Sequence, residues 1–292
     1  MSSTTLQVLR KSILNPRRAA LRLVLMARLV RSSVEGDRAR LLRAISELWH
    51  VDAQELLEEY RTSDYATWYR ERYQELHPGS SGSRMGTSGM FTCELLYMLV
   101  RAARPRVVVE TGVLYGASSG HMLAALAANG TGRLYSIDLG CSPSEPSHDL
   151  FVHPDLRARW QYIMGDTRRE LPLLLARLGR IDMFHHDSLH TFAHMTWEYE
   201  TASAHLGSEG ILASHDVLTA DSLRGVFREN AFPAFCRRRQ LECIMAQNSG
   251  IAVRPSPVTR PPRPEAAASR SAAAGSTRVA SGLDLGGGGD RV

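Results

Sequence analysis

Five short apolar runs in this chain each end on a carboxylate, and most gaps between them are long enough for a helix. This alternation predicts strand–helix–strand units that build a parallel sheet. In such sheets the carboxyl ends of the strands lie along one edge, where ligands bind. We therefore expect the acids to meet at one crevice, which favours a ligand that carries hydroxyls, amines or a metal. The five acids are Glu110, Asp138, Asp166, Asp187 and Asp216.

The composition is that of a globular protein, with 292 residues of which 43% are hydrophobic and 22% charged. The net charge of +5 is uneven, because residues 1–34 contain seven basic residues and no acid. The rest is close to neutral, which argues against a nucleic-acid partner for the core. We interpret the basic segment 6–30 as an amphipathic helix packed on the core. Peripheral membrane contact and an organellar transit peptide are the alternatives.

Lysine and cysteine usage limits the chemistry that the core can perform. Lys11 is the only lysine, so a lysine base is excluded and a proton acceptor must be His, Asp, Glu, Tyr or Cys. The four cysteines have no metal-ligand spacing. Nothing in the sequence indicates secretion, so a cytoplasmic protein with reduced thiols is expected. No stretch is apolar for long enough to span a membrane.

Three regions are predicted along the chain. Residues 1–78 form a helical N-terminal extension, in which Asp52 is the N-cap of a helix over residues 55–60. Residues 79–254 form the main domain; it begins with a Gly/Ser loop over residues 79–90, which is either a linker or a lid. Two apolar runs around residues 248–250 predict a β-hairpin at the end of the sheet. Residues 255–292 are rich in Pro, Ala, Gly and Ser and are predicted to be disordered.

The strongest local motif is a glycine-rich turn after the first strand. Gly112, Gly116 and Gly120 follow Glu110 and open a predicted helix over residues 117–128. Glycines at a strand–helix turn let the backbone approach a ligand and point N–H groups at it. The spacing G-x-x-x-G-x-x-x-G is neither the dinucleotide fingerprint nor a P-loop. The alternative role for this turn is simply to pack the helix on the sheet.

Taken in order, these motifs resemble class I S-adenosylmethionine-dependent methyltransferases: Glu-x-Gly-x-x-x-Gly after strand one, an acid ending strand two, Gly-Asp after strand three and a terminal hairpin. The segments Asp187-Ser-Leu-His190-Thr-Phe and Ser214-His215-Asp216-Val217 are similar to the small-molecule O-methyltransferase branch that includes cephalosporin and sugar methylating enzymes. The resemblance covers roughly residues 85–254. It implies a Rossmann-like, doubly wound, mostly parallel seven-stranded sheet with a C-terminal antiparallel hairpin.

The resemblance also implies S-adenosylmethionine as the cofactor and gives five residues a role in binding it. Gly112 and Gly116 are expected to let the turn contact the methionine part, and Glu110 to accept from its ammonium group, directly or through water. Asp138 ends strand two, where a carboxylate can accept from the two ribose hydroxyls. Asp166 is expected to meet the adenine amine. A solvated turn acid is the alternative for both aspartates.

Four further residues, Asp187, His190, His215 and Asp216, are expected beside the transferable methyl group. In one hypothesis Asp187 and Asp216 bind a divalent cation, Mg²⁺ or Mn²⁺, and a histidine assists. In the other there is no metal, and His190 or His215 is the general base. Related enzymes often carry an acid at the position of His215, and this departure weakens an all-oxygen Mg²⁺ site. Three other histidines are predicted to serve packing or the surface: His185, His186 and His194.

The sequence thus predicts an enzyme that methylates a hydroxyl of a small molecule or sugar. The alternative is a non-catalytic cofactor-binding protein with a regulatory or scaffolding role. A nicotinamide-dependent oxidoreductase is disfavoured by the glycine spacing. A small-molecule acceptor is the expected partner, and homo-oligomerisation stays open.

Overall fold

The computed structural model describes residues 34–76, 89–142, 144–219, 223–224 and 229–255. The predicted basic N-terminal helix, most of the Gly/Ser loop and the predicted disordered tail lie outside these residues. Within them, no helix combines the length and the hydrophobicity that crossing a membrane requires.

A seven-stranded sheet forms the centre of the described chain. Its strands are β1 (Val107–Thr111), β2 (Arg133–Asp138), β3 (Trp160–Met164), β4 (Ile181–His186), β5 (Leu206–His215), β8 (Glu242–Ala246) and β9 (Ser249–Val253); β6 (Leu223–Arg224) and β7 (Glu229–Asn230) form a separate two-stranded ribbon. The order in the sheet is β3-β2-β1-β4-β5-β9-β8. The strands β1 to β5 pair in parallel, and β9 and β8 pair antiparallel. The predicted fold class is confirmed.

Helices cover both faces of this sheet because successive strand residues point to opposite sides. The helices are α1 (Val34–Trp49), α2 (Ala53–Thr62), α3 (Asp64–Leu76), α4 (Met90–Ala103), α5 (Ala117–Ala128), α6 (Thr167–Leu178), α7 (Phe192–Ser203) and α8 (Ala231–Arg239). Val108 packs into a core with the helices α1 to α5, whereas Val109 packs into a second core with α6, α7 and α8.

The helices α2 and α3 contact the core close to the glycine turn. Asp52 caps α2 as predicted, since its carboxylate accepts two backbone N–H groups of the first turn. The hydroxyl of Tyr60 lies 2.7 Å from Nε2 of His121 in α5, and Tyr65 donates to the carbonyl of Phe151 at 3.0 Å. Burial lowers the pKa of His121 to about 4, which keeps this imidazole neutral inside the aromatic cluster. The extension therefore supports the helix that the glycine turn opens.

The terminal hairpin is confirmed, but its turn lies earlier than residues 248–250. Gln247, at φ +53°, and Asn248 form the turn, and Gly250 already belongs to β9. Gly250 is needed there because a Cβ atom at this position would lie 2.4 Å from the ring of Phe232. Asn248 is not a passive turn residue, since its Oδ1 accepts from the N–H of Leu218 at 2.8 Å. The hairpin thus holds the segment that follows β5.

Candidate functional site

One cavity of about 750 Å³ opens at the carboxyl ends of β1, β2, β4 and β5. This is the place expected from the sheet topology, where the strand order reverses between β1 and β4. The turns after all four strands, together with the start of α6, contribute to its wall. Seven of the nine predicted site residues line it: Gly112, Asp138, Asp166, Asp187, His190, His215 and Asp216.

Gly112 brings the turn after β1 into direct contact with the turn after β4. Its φ is +84°, and a Cβ atom there would lie 2.1 Å from the carbonyl oxygen of Asp187. Both the backbone conformation and the lack of space therefore require glycine. The close approach places the glycine turn beside the acids at the end of β4.

Gly116 opens α5 and fits closely against the segment 148–152. It is the N-cap of α5 at φ +82°, and a Cβ atom there would lie 2.7 Å from the carbonyl oxygen of His148 and 2.9 Å from Cγ2 of Val152. The segment 148–152 occupies the space that a side chain would need. Gly116 is not among the residues that line the cavity, and its expected contact with the methionine part stays a prediction.

Glu110 is likewise placed beneath the turn and not in the cavity. Its side chain is fully buried, and its carboxylate accepts from the hydroxyls of Ser118, Ser119 and Ser136 at 2.5, 2.5 and 2.8 Å. Glu110 thus faces α5 and supports the start of that helix. Its expected contact with a ligand ammonium, directly or through water, stays a prediction.

Asp138 closes the glycine turn with its carboxylate. Its Oδ2 accepts from the backbone N–H groups of Val113 and Leu114 at 2.7 and 3.2 Å, and its Oδ1 accepts from Gly140 at 2.7 Å. Leu114 has φ +51°, a costly conformation for a non-glycine residue, and this bond helps to hold it. A carboxylate has about four acceptor positions, so about one is left for a ligand hydroxyl.

Asp166 begins α6 at the far end of the cavity. Its Oδ1 accepts from the backbone N–H of Arg168 at 2.9 Å, which is the bond of an N-cap. Thr167 and Arg168 line the same wall, and the guanidinium of Arg168 lies 4.3 Å from the ring centre of Trp197. The expected contact of Asp166 with adenine stays a prediction, made by a residue that also caps a helix.

At the opposite end of the cavity, two carboxylates and two imidazoles converge. Nε2 of His190 lies 3.2 Å from Oδ2 of Asp216 and 3.6 Å from Oδ1 of Asp187. Nδ1 of His215 lies 2.9 Å from Oδ1 of Asp187. Ligand atoms of Asp187, His190 and Asp216 all lie within 4.8 Å of one another. The residues predicted at the ends of strands four and five are thus in one group.

The charges of this group are set by its burial and by its pairing. Burial opposes protonation of His215, but the charge of Asp187, their hydrogen bond and Asp216 outweigh it and raise the pKa of His215 to about 9. Burial also opposes ionisation of Asp187, yet His215, with His185 and His190, holds the pKa of that carboxyl well below its usual range. Burial dominates at His190 and lowers its pKa, despite Asp187 and Asp216. At neutral pH the metal-free group holds a charged His215 and a neutral His190.

The three residues of this group fit a bound divalent cation. Two carboxylates and one imidazole nitrogen are within reach of a common centre. Such a mixed oxygen and nitrogen set suits Mn²⁺ or a later transition metal better than Mg²⁺, which prefers oxygen and octahedral geometry. The nitrogen ligand of this set is His190. His215, which stands where related enzymes often carry an acid, adds no oxygen ligand, and this too disfavours Mg²⁺.

His194 is a wall residue that the sequence interpretation assigned to packing or the surface. It lines the cavity, as does Ser188, and both contact the buried carboxylate of Glu198. The signal was present as a His–Glu pair at i and i+4 in α7. His185 and His186 are buried in β4, which agrees with a packing role.

Comparison with known proteins agrees with this geometry. Residues 109–217 match a family model described as a methyltransferase domain, and they contain every residue of the cavity wall named above. No curated protein sequence is significantly similar to this chain. The resemblance to class I S-adenosylmethionine-dependent methyltransferases is confirmed, and the family match covers residues 109–217.

Three solved structures that are similar to this chain come from bacteria. A methyltransferase from Geobacter sulfurreducens has 20% identity and a TM-score of 0.47, over 67% of this chain and 90% of that one. The O-methyltransferase TomG from Streptomyces achromogenes, involved in tomaymycin synthesis and solved with SAM, has 16% identity and a TM-score of 0.47, over 66% and 91%. An O-methyltransferase from Bacillus cereus, solved with SAH, has 14% identity and a TM-score of 0.46, over 72% and 99%.

Proposed function

We propose that this chain transfers a methyl group from S-adenosylmethionine to an oxygen of a small molecule or sugar. The observation that carries the proposal is the single cavity that joins the glycine turn and Asp138 at one end to Asp187, His190 and Asp216 at the other. Its volume of about 750 Å³ is within the range of small-molecule sites, roughly 300–1,000 Å³. Its acids complement a ligand with an ammonium group, ribose hydroxyls and an exocyclic amine.

The cofactor end of the cavity works through a rigid backbone. Asp138 holds the N–H groups of Val113 and Leu114, so the turn keeps its shape without a ligand. The remaining acceptor position of Asp138 takes one ribose hydroxyl, whereas the sequence predicted two. Asp166 and Thr167 meet the adenine at the start of α6. A site that is already formed loses little entropy on binding, which favours affinity.

At the reactive end, S-adenosylmethionine supplies the methyl group, and the residues of this chain orient the acceptor hydroxyl and manage its proton. His215 is a poor base at neutral pH because its pKa of about 9 leaves it protonated. His190 is neutral, its buried Nδ1 has no hydrogen-bond partner in the described part of the chain, and its Nε2 faces both carboxylates. This arrangement favours a divalent cation held by Asp187, His190 and Asp216, which would lower the pKa of an acceptor hydroxyl.

The general-base alternative rests on one specific observation. His215 lies 2.9 Å from Asp187, and this pair neutralises the charge of Asp187 without any metal. In that case Nε2 of His190 would have to leave Asp216 to accept the proton. The regulatory or scaffolding alternative has no comparable observation in its favour.

The first test is cofactor binding. Purified protein should bind S-adenosylhomocysteine, and should bind NAD⁺ much more weakly, because the turn lacks the dinucleotide spacing. Isothermal titration calorimetry with both compounds measures this directly. A protein that is folded by circular dichroism and gives no heat with S-adenosylhomocysteine would contradict the proposed function.

The second test replaces Asp138 with alanine. Affinity for S-adenosylhomocysteine should fall at least about tenfold, because a charge-assisted bond to a ribose hydroxyl contributes about 1.5–3 kcal/mol. The turn also loses the hydrogen bonds that Asp138 accepts from Val113 and Leu114. Asp182→Ala is a matched control, since Asp182 accepts from two backbone N–H groups, of Arg106 and Val107, at the opposite edge of the sheet. Equal affinities in the two variants would show that neither a bond from Asp138 to the ribose nor its support of the turn contributes to cofactor binding.

A further inference from the structure

A second charged group lies directly behind the cavity and plays no part in the mechanism above. Glu198 in α7 has no exposed surface, yet it carries a carboxylate with four polar neighbours. Its Oε2 lies 2.5 Å from the hydroxyl of Thr111 and 2.6 Å from Nδ1 of His186. Its Oε1 lies 2.8 Å from Nε2 of His194 and 2.9 Å from the hydroxyl of Ser188. We call these five residues the Glu198 network.

The network fills all the acceptor positions of the Glu198 carboxylate. A carboxylate offers about four acceptor positions, and the four donors fill them. A carboxylate only accepts, so Nδ1 of His186 and Nε2 of His194 must carry the hydrogens. The bonds from the two histidines overcome the effect of burial and hold the pKa of Glu198 well below its usual range. The carboxylate is therefore a fixed charge that sets the orientation of two imidazoles.

The donors come from the elements that form the cavity. Thr111 ends β1 immediately before Gly112, and its carbonyl accepts from the N–H of Asp187 at 2.8 Å. Ser188 follows Asp187 and lines the cavity, as does His194. The network thus fixes the backbone on both sides of the contact between the two turns.

His186 extends the network to the reactive end. Its ring packs edge-on against the ring of His190, with centres 5.5 Å apart and planes at 85°. Among the residues that the structure describes, the buried Nε2 of His186 has no hydrogen-bond partner, so within them the bond to Glu198 fixes its tautomer. The orientation of His190 toward Asp216 therefore depends on a ring that Glu198 holds.

We propose that Glu198 is a positioning residue for methyl transfer, which holds Ser188 and His194 against the cofactor and His190 against the carboxylates. The proposal rests on the proposed function, because it assigns Glu198 a part in that same site. A Glu198 that only stabilised the packing of α7 on the sheet would make the same hydrogen bonds. The two roles differ in what a substitution that keeps the shape would change.

Glu198→Gln keeps the size of the side chain but turns one acceptor oxygen into an NH₂ donor. Two of the four donor groups then face the new NH₂ group, which cannot accept a hydrogen bond. The imidazoles must therefore reorient. We expect the affinity for S-adenosylhomocysteine to fall about tenfold, as is typical when an outer partner of a functional side chain is lost. We also expect side-chain ¹⁵N chemical shifts of His186 and His194 to change, with that of His190 following, in spectra assigned with single His→Gln variants.

Glu200→Gln is the matched control in the same helix. Glu200 pairs with Arg238 and Arg239 at the surface, away from the cavity. It should leave both the affinity and the histidine spectra unchanged. Ser188→Ala removes a single donor and tests the proposal if Glu198→Gln does not fold; it should lower the affinity about threefold, since it removes one of the four hydrogen bonds that the Glu198 carboxylate accepts.

The possible results separate the two roles. The proposal would be overturned if Glu198→Gln lowered the melting temperature but left the His190 signal and the affinity unchanged. Glu198 would then only stabilise the packing of α7 on the sheet. In the Ser188→Ala arm, wild-type affinity would overturn it equally. If the wild-type protein itself does not bind S-adenosylhomocysteine, the proposed function fails. The histidine spectra still decide whether Glu198 orients His190.

Discussion

Replacing Gly112 with alanine should destabilise the protein by about 2–5 kcal/mol and abolish cofactor binding. The left-handed φ of +84° costs an alanine about 1–2 kcal/mol. The new Cβ atom would also lie 2.1 Å from the carbonyl oxygen of Asp187, and overpacking of this kind costs about 1–3 kcal/mol. The clash is with backbone, so the turns after β1 and β4 must separate. Urea unfolding and calorimetry with S-adenosylhomocysteine measure the two effects.

Gly130 provides the control for the backbone part of this cost. Its φ is +72°, and a Cβ atom at Gly130 would meet no atom within 4 Å. Gly130→Ala should therefore cost only the conformational part, about 1–2 kcal/mol, and should leave cofactor affinity unchanged. If the two variants were equally stable, the close contact between the two turns would be wrong.

The positions of the strand-end acids could be predicted from the sequence because period and spacing determine them. Asp138 is the last residue of β2, and Asp187 and Asp216 each follow the last residue of a strand, so their side chains reach over the edge of the sheet. Glu110 also ends an apolar run, but Thr111 continues β1 beyond it. A side chain inside a strand points to a face, and Glu110 therefore faces α5 instead of the cavity. The sequence does not mark where a strand ends to within one residue.

The contributions from distant parts of the chain could not be predicted. Glu198 in α7 appears in the sequence as one more acid of a helix, and only the packing of α7 on β1 and β4 shows that it is buried. Asn248 likewise reads as a turn residue, yet its side chain contacts Asp216 from the hairpin. Both depend on tertiary contacts between segments far apart in the sequence, which no local period encodes.

Replacing Asp187 with asparagine should abolish divalent-ion binding. The substitution removes a ligand charge, and the affinity for Mn²⁺ should fall by at least about a hundredfold, because even outer partners of ligands contribute 10–100-fold. Calorimetry with Mn²⁺ on chelator-treated protein measures this, and Asp216→Asn should behave alike. Asp155→Asn is the control, since Asp155 is also near a histidine, at 3.7 Å from His153, but its side chain is 89% exposed outside the cavity.

The pH dependence of Mn²⁺ binding identifies the role of His215. Without metal, the charge of Asp187 helps to raise the pKa of His215 from 6.5 to about 9. A cation on Asp187 cancels that charge, so the pKa of His215 falls and binding releases one proton. Apparent affinity should then rise about tenfold for each pH unit from about 6.5 to 9 and become constant above 9. In His215→Gln this slope should disappear.

The same measurements decide between metal and base. Mn²⁺ binding that is lost in Asp187→Asn and kept in Asp155→Asn would support the cation, with His190 as its nitrogen ligand. Protein that binds S-adenosylhomocysteine but shows no saturable Mn²⁺ or Mg²⁺ binding at pH 9 would overturn it. At that pH His215 is about half deprotonated, so competition from the proton would weaken binding only about twofold and would not explain the failure. The base would then be His190, whose lowered pKa leaves it neutral at pH 7, after its Nε2 leaves Asp216.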